Sequence, residues 1–245
     1  TVYQSKDRIP NIVQRGNYFY NFWQDEVNVR GIYRRTTLKE YRQSTPQWET
    51  VLDFDKLADT EKENWVYKGM NCLYPDSNLC LINLSRGGAD ATVVREFDMQ
   101  TKQFVKGGFE LPEAKSSVSW IDENTIYVGT DFGGDSLTTS GYPRIAKRLK
   151  RGTQLEDAEQ VYEGKVDSVG SFTSRMFSKS GNLDITYDIP TFFTNNVYIL
   201  KDNRWIKINK PDTADLSGYF NKLVFIQLKE EWTVGSKSYP AGAVV

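Results

Sequence analysis

The stretch most similar to a ligand-binding loop is LSRGGAD, residues 84–90, where two glycines follow an arginine. A phosphate-binding loop needs its glycines at the start of a helix, so that backbone N–H groups point at the anion. Residues 91–97 instead alternate in polarity and are rich in β-branched side chains, which predicts a strand. We therefore expect Gly87 and Gly88 to supply the positive φ of a hairpin turn, which Asp90 closes through its side chain.

A second glycine-rich stretch, DFGGDS at residues 131–136, carries the carboxylates Asp131 and Asp135. Calcium takes about six or more oxygen ligands, and two local acids do not supply them, so we expect no metal here. The segment continues to Pro143, which is long for a hairpin, and long loops in compact domains are often functional. Two interpretations stay open: contact with a ligand or another domain, and an ordinary surface loop.

Histidine is absent from the chain, and this excludes Ser-His-Asp and Cys-His catalytic sites and every His-based metal site. No Gly-x-Ser-x-Gly nucleophile motif is present, and we expect no cofactor. Cys72 and Cys80 flank the turn sequence YPDSN and lack further zinc ligands. They could face each other across a hairpin, but we favour two small buried thiols over a disulfide.

The composition is that of a soluble, foldable chain of 245 residues, with 26% charged residues and a net charge of -1. This charge gives no reason to invoke nucleic acid, and no apolar run approaches the roughly 18 residues of a membrane span. The chain begins without methionine and stops within an apparent strand, so we expect a fragment of a longer protein.

Aromatic and β-branched runs between turn residues predict strands along the whole chain. The run YFYNFW at residues 18–23 predicts a strand in the core, and residues 29–35 and 48–53 predict the next two strands. Only residues 54–62 and, more weakly, 153–158 favour helices. This pattern predicts an all-β fold rather than βαβ units.

Strand openings recur roughly every 50 residues with about four strands each, a period typical of propeller blades. We predict a β-propeller of four-stranded antiparallel blades, with about five blades present. A run of β-sandwich domains fits the spacing less well. The approximate blade boundaries are 10–56, 62–106, 114–163, 166–210 and 214–245.

Several ordered motifs resemble the propeller domain of the prolyl oligopeptidase family of serine peptidases. The motifs are RGNYFY (15–20), ETVLD (49–53), YPDSN (74–78), SRGGAD (85–90), EFDMQTK (96–102) and SWID (119–122). YPDSN stands where the family often has Ser-Pro-Asp-Gly, with Tyr74 and Ser77 as departures. The resemblance covers mainly residues 16–129 and returns in residues 218–245.

This resemblance implies a seven-bladed propeller attached to a C-terminal α/β-hydrolase domain that carries the catalytic triad. The implied role is to admit short peptides to the active site and exclude folded proteins, in the cytoplasm or periplasm of a bacterium. The family places substrate-facing residues near the strand that here contains Val118 and Trp120. Other members have an apolar side chain before this strand, and Lys115 at that position departs from their pattern. The candidates for domain-interface or substrate-access contacts are Lys115, Asp131, Asp135 and Arg144.

Two other functions stay open at this point. One is a stand-alone propeller that binds a glycan or a protein partner, and the other is a glycan-active enzyme with two carboxylates in a central pocket. A truncated ring would also expose the apolar faces of its end blades, so we expect the chain to dimerise through those faces or to cover them in another way.

Overall fold

The computed structural model describes residues 10–245. Residues 1–9, which include the start that we interpret as a cut end, lie outside the described residues. The chain forms two compact units, Thr1–Ala114 and Lys115–Val245, called unit 1 and unit 2 below. Both are built from antiparallel sheets, mostly of four strands joined in sequence order, and the predicted all-β class with four-stranded sheets is confirmed.

Unit 1 contains two sheets and two short helices. The first sheet consists of β1 (Val13–Arg15), β2 (Tyr18–Trp23), β3 (Ile32–Thr37) and β4 (Glu49–Asp53). The second consists of β5 (Trp65–Cys72), β6 (Leu79–Arg86), β7 (Thr92–Asp98) and β8 (Gln103–Phe104), with β9 (Glu110–Ala114) also paired to β7. The helices are α1 (Leu38–Tyr41) and α2 (Phe54–Glu61).

The glycine stretch at 84–90 is a hairpin turn between β6 and β7, as the sequence predicts. Gly87 and Gly88 have φ values of 65° and 89°, and residues with a Cβ rarely adopt this backbone conformation. The predicted closure by Asp90 is wrong. The hydroxyl of Ser85, which is buried, donates to the carbonyl of Ala89 at 2.7 Å and closes the turn instead.

The two cysteines form a disulfide, so the preference for free thiols is wrong. Cys72 at the end of β5 lies directly opposite Cys80 at the start of β6, with 4.0 Å between their Cα atoms. This register brings the two sulfur atoms together, and Cys80 is fully buried. Residue spacing alone did not specify the register.

The helix predicted at 54–62 is α2, and its start follows from a side-chain cap. Asp53 Oδ1 accepts from the backbone N–H of Lys56 at 2.9 Å, and Lys62 ends the helix in the left-handed conformation. The weaker prediction at 153–158 yields only a 3-10 helix at Leu155–Asp157. The helix α1 escapes sequence prediction, because four residues are too few to show a helical period.

Aromatic side chains join the two sheets of unit 1. The ring of Tyr67 on β5 lies 4.8 Å from that of Phe22 on β2 and 5.1 Å from that of Phe54, which is fully buried at the start of α2. Gly31, at φ +97°, leaves room for this cluster, because a Cβ there would come within 2.4 Å of the Phe22 ring. The run at 18–23 therefore contributes to the core through Phe22 and the buried Tyr20.

Unit 2 contains two four-stranded sheets followed by two hairpins. The first sheet consists of β10 (Ser117–Asp122), β11 (Thr125–Gly129), β12 (Ile145–Lys150) and β13 (Glu159–Glu163). The second consists of β14 (Gly170–Met176), β15 (Leu183–Thr191), β16 (Thr194–Lys201) and β17 (Arg204–Lys207). The hairpins are β18 (Asp215–Phe220) with β19 (Leu223–Gln227), and β20 (Trp232–Val234) with β21 (Lys237–Tyr239).

Polar contacts join the two four-stranded sheets of unit 2. Arg175 on β14 donates from its backbone to Ser119 Oγ at 3.1 Å and from its side chain to the carbonyl of Ile121 at 2.9 Å. Asp184 on β15 binds the same guanidinium through two hydrogen bonds of 2.6 and 2.7 Å. These contacts fix where β14 lies along β10.

No helix among residues 10–245 is long and apolar enough to cross a membrane.

Candidate functional site

All four residues singled out from the sequence lie at one end of the sheet β10–β13. The pairing of Ser117 with Gly129 and of Ile145 with Glu163 brings the start of β10, the end of β11, the start of β12 and the end of β13 to that end. Lys115 precedes β10, and the 131–144 segment joins β11 to β12. The antiparallel order of the strands thus gathers residues that are up to 29 positions apart in the chain.

Arg144 is the anchor of this end, and its side chain is only 8% exposed. Its guanidinium donates to the Asp135 carboxylate at 2.7 Å and to the Asp135 carbonyl at 2.6 Å. It also donates to the Glu163 carboxylate at 2.7 Å and to the Gly164 carbonyl at 3.0 Å. One arginine thus ties the loop before β12 to the end of β13.

The electrostatics of the anchor follow from these bonds. The pKa of Glu163 lies below its ordinary value, chiefly because of the hydrogen bond from Arg144 and then because of one from Gln160. The pKa of Arg144 is raised, first by its bond to Glu163. Both groups are therefore charged at neutral pH, and the pair is intact there.

Asp131 organises the start of the loop rather than joining the Arg144 cluster. Its Oδ1 accepts from the backbone N–H of Gly133 at 2.8 Å and lies 3.4 Å from the hydroxyl of Ser136. That hydroxyl, which is buried, accepts from the N–H of Phe132 at 2.9 Å. Asp131 thus forms a local turn, as aspartates often do in loops.

Lys115 supports the far side of the same loop. Its Nζ lies 3.3 Å from the carbonyl of Ser140 and 4.4 Å from the centre of the Tyr142 ring. The Tyr142 ring in turn contacts Phe172 on β14. The structure thus brings Asp135 and Arg144 into direct contact, and it places Asp131 and Lys115 at the start and the far side of the loop that they hold.

The linker between the two sheets, residues 164–169, completes this end of unit 2. Its Val166 carbonyl accepts from the N–H of Thr139 at 2.9 Å, and its Val169 carbonyl accepts from the hydroxyl of Thr138 at 3.1 Å. Ser168 donates to the buried carboxylate of Asp188 at 3.0 Å. We call the end of unit 2 formed by residues 130–144, 164–169 and 192–193 the loop end.

Sequence reasoning missed Glu163, Ser168 and Asp188. Glu163 ends a strand like many exposed acids, and its partner Arg144 is 19 residues away. Asp188 gives a weak signal, because it stands within the β-rich run of residues 185–189 at a position that proves to be buried. A buried carboxylate needs hydrogen-bond partners, but the sequence does not say which serines supply them.

The groups of the loop end bind one another, which suits a rigid contact surface rather than bond-breaking chemistry. The carboxylates of Asp135 and Glu163 are both engaged by Arg144, and Asp131 is engaged by its own turn. Among residues 10–245, no group of three or more His, Cys, Asp or Glu side chains is placed to hold a metal ion.

Comparison with known proteins shows which family this chain resembles. The family model described as prolyl oligopeptidase, N-terminal β-propeller domain, matches residues 1–215. The chain is 42% identical to an uncharacterized peptidase of Sinorhizobium fredii, over 95% of this chain and 33% of that protein. It is 32% identical to an uncharacterized peptidase of Rickettsia prowazekii, over 99% of this chain and 36% of that protein. The chain therefore spans about a third of the length of these relatives.

Two solved structures show the same fold. The structure of a post-proline cleaving enzyme from Rickettsia typhi matches with a TM-score of 0.91 and 32% identity, over 99% of this chain and 37% of that one. The β-propeller domain of the Trilobed protease from Pyrococcus furiosus matches with a TM-score of 0.57 and 16% identity, over 96% of this chain and 70% of that one. The second likeness concerns the fold alone.

Proposed function

Because the chain belongs to the prolyl oligopeptidase family through its N-terminal β-propeller domain, we propose that it is the noncatalytic, access-controlling part of a serine peptidase. The observation that carries this proposal is the family match over residues 1–215 in a chain that contains no histidine. A Ser-His-Asp triad needs histidine, so the catalytic residues of such a peptidase would belong to another domain.

The substrates in this proposal are short peptides that contain proline. The matching structure from Rickettsia typhi is described as that of a post-proline cleaving enzyme. Its catalytic domain would follow the propeller, as the family resemblance implies. The propeller would limit the size of substrates, because its rigid sheets would leave an entrance too narrow for a folded protein to reach the active site.

The loop end supports this role through its rigidity. Arg144 holds its loop by four hydrogen bonds of 2.6 to 3.0 Å, and Lys115 supports the opposite side. A loop fixed in this way can act as a wall for an entering peptide or as a contact for the catalytic domain. We assign the access role to Lys115, Asp131, Asp135 and Arg144 as a group.

The first experiment compares this chain with the longer protein encoded by the same gene. We expect the gene to continue past Val245 into a Gly-x-Ser-x-Gly motif. The 245-residue chain should release no product from a proline-containing octapeptide, whereas the longer protein should cleave it. A gene that ends at Val245, or a longer protein without peptidase activity, would contradict the proposal and favour a stand-alone binding module.

The second experiment tests the gating role with two arginine variants of the longer protein. Arg144→Met frees the loop at the loop end. The control Arg151→Met removes an arginine that anchors a turn at the opposite end of the same sheet, where it donates to the Glu123 carbonyl at 2.6 Å. We expect only Arg144→Met to change the ratio of cleavage rates for a long unstructured peptide and the octapeptide. Equal ratios in both variants and the unmodified protein would contradict gating by this loop.

A further inference from the structure

The hairpin tip between β15 and β16 exposes two adjacent phenylalanines at the loop end. Phe192 is 85% exposed and Phe193 is 82% exposed. Turn positions are usually occupied by Gly, Asn, Asp, Ser or Pro, each for a backbone reason. Neither phenylalanine has a positive φ, so the backbone of this turn accepts most residue types. Nothing in the turn geometry calls for an aromatic side chain at either position. Their presence points to a use outside this fold.

The tip is held in a defined position. The hydroxyls of Thr191 and Thr194 lie 2.7 Å apart across the turn, and the Thr191 hydroxyl accepts from the N–H of Phe193 at 3.2 Å. The strands that carry the tip are nine and eight residues long. A contact made by these rings would therefore lose little conformational entropy on binding.

The tip belongs to the same surface as the Arg144-held loop. The N–H of Val169 donates to the carbonyl of Ile189 at 2.7 Å, which joins the linker to the last part of β15. The same linker binds the 131–143 loop through Thr139 and Val166 at 2.9 Å. Val166 is also exposed, so the tip and the linker both offer apolar groups at the loop end.

The opposite end of the same two sheets has a different composition. The turn between β10 and β11 is polar, and Asp122 Oδ1 accepts from the N–H of Asn124 at 2.8 Å. The turn between β16 and β17 consists of Asp202 and Asn203, both with positive φ as such turns prefer. In these two sheets, apolar turn residues thus stand at the loop end, while the opposite turns show ordinary polar chemistry.

We propose that the Phe192–Phe193 tip is an apolar contact through which this propeller docks on the catalytic domain of the longer protein; this inference rests on the proposed function. The occupant is argued from chain length, because the related peptidases carry about two thirds of their length outside the matching region. Two phenylalanines would bury roughly 300 Å² or more in such a contact. Paired, rigid aromatic anchors of this kind often carry much of an interface's affinity.

The test uses the longer protein with a matched pair of double variants. Phe192→Ser with Phe193→Ser removes the tip. The control, Phe220→Ser with Leu223→Ser, removes an apolar tip on the β18–β19 hairpin, where the residues are 71% and 61% exposed. Circular dichroism and melting temperature first establish that both variants are folded.

Docking predicts a specific change in the first variant only. Its radius of gyration in X-ray scattering should rise, and amides of residues 183–201 should exchange about tenfold faster, the change expected when one anchor contact is lost. The control should match the unmodified protein in both measurements. Equal behaviour of the tip variant and the unmodified protein would overturn the inference.

Two other results would assign the tip to a different occupant and overturn docking. The first is a raised KM for the octapeptide with unchanged scattering, which would mean that the tip contacts substrate. The second concerns the 245-residue chain in light scattering. If the tip variant of that chain has half the mass of the unmodified chain, while the longer protein behaves the same with and without the tip, the tip joins two copies. If the unmodified longer protein has no peptidase activity at all, that result would instead refute the proposed function.

Discussion

In unit 1 the joint between the sheets β1–β4 and β5–β8 centres on packed aromatic rings, and we call it the aromatic joint. In unit 2 the joint between the sheets β10–β13 and β14–β17 combines ring contacts of Tyr162 with side-chain hydrogen bonds from Arg175, and we call it the polar joint. Phe54 and Tyr67 represent the first joint, with ring centres 5.1 Å apart. Arg175 represents the second, because it donates to Ser119 Oγ at 3.1 Å and to the Ile121 carbonyl at 2.9 Å, while Asp184 of its own sheet holds its guanidinium. The two joints connect similar sheets, but the second adds directional hydrogen bonds to the ring contacts.

The difference teaches how each joint tolerates change. An apolar joint depends on the area removed from water and on filling space, and it has little directional preference. A polar joint depends on distance and angle, so it specifies one register of the sheets and fails when a single partner is lost. The loop end, where we place the function, is formed by the same two sheets as the polar joint.

The largest effect should come from the aromatic joint. Phe54→Ala removes a fully buried ring and leaves a cavity, which should lower the free energy of unfolding by about 3–5 kcal/mol. Phe54→Leu, the control, should cost about 1.5 kcal/mol or less because it keeps most of the volume. Urea unfolding, read by hydrogen exchange of unit 1 peptides, measures both. Equal losses for the two variants would show that filling space is not what holds this joint.

The polar joint should respond to the loss of one charge more than to the loss of both. Arg175→Met leaves the largely buried Asp184 carboxylate without its cationic partner, with the Tyr127 hydroxyl as its remaining hydrogen bond, and should cost about 2–3 kcal/mol. Adding Asp184→Leu should recover most of this loss, because no unpaired charge then remains. Urea unfolding read on unit 2 peptides measures the cycle. A double variant as unstable as the single one would mean that the pair stabilises the joint by its attraction.

A smaller effect is expected at a buried hydroxyl pair within the sheet β14–β17. Thr173 and Thr186 share a hydrogen bond of 2.8 Å with both side chains buried. Thr173→Val or Thr186→Val alone should cost about 1–2 kcal/mol, because one hydroxyl loses its partner. The double variant should lie close to the unmodified protein. Additive losses in the double-mutant cycle would show that the two hydroxyls do not depend on each other.

The smallest effect is local and depends on pH. The pKa of Glu163 is lowered in the folded chain, so its bond to Arg144 contributes fully above the ordinary carboxyl pKa of about 4.3. This contribution is lost as the pH falls through the lower, folded pKa. Protection of amides 131–143 against exchange should therefore be constant from about pH 5 to 8 and decrease below about pH 4.

The control for this prediction is Glu163→Gln, which keeps the shape but cannot titrate. Its loop should show weaker protection at neutral pH and no decrease caused by this group in acid. A decrease of the same size in both proteins would assign the pH dependence to another carboxylate. The aromatic joint around Phe54 provides the internal reference, because its rings carry no group that titrates in this range.

Local sequence chemistry was sufficient for several elements. The glycine pair at 87–88 predicted its hairpin, because few residues other than glycine adopt that backbone. Residues 54–62 predicted α2, and the aromatic run predicted β2 with the observed bounds, Tyr18–Trp23. Each of these features is decided within about ten residues, where propensity and turn chemistry act.

Contacts between distant residues were not accessible in this way. The sequence placed Arg144 and Asp135 among the candidates but did not indicate that Glu163 is their third member. It favoured free thiols at Cys72 and Cys80, although the hairpin register joins them. In both cases the missing information was which strand positions lie opposite each other.

The sequence by itself determined the all-β class, the repeating four-stranded unit, the family and the lack of a histidine-dependent catalytic site. Periodicity, turn residues and composition carry this information, and each is a property of short segments. The tertiary structure alone decided which contacts join the sheets of each unit, how Arg144 holds its loop, and where Phe192 and Phe193 lie. These depend on register and burial, which arise only when separate strands pack together.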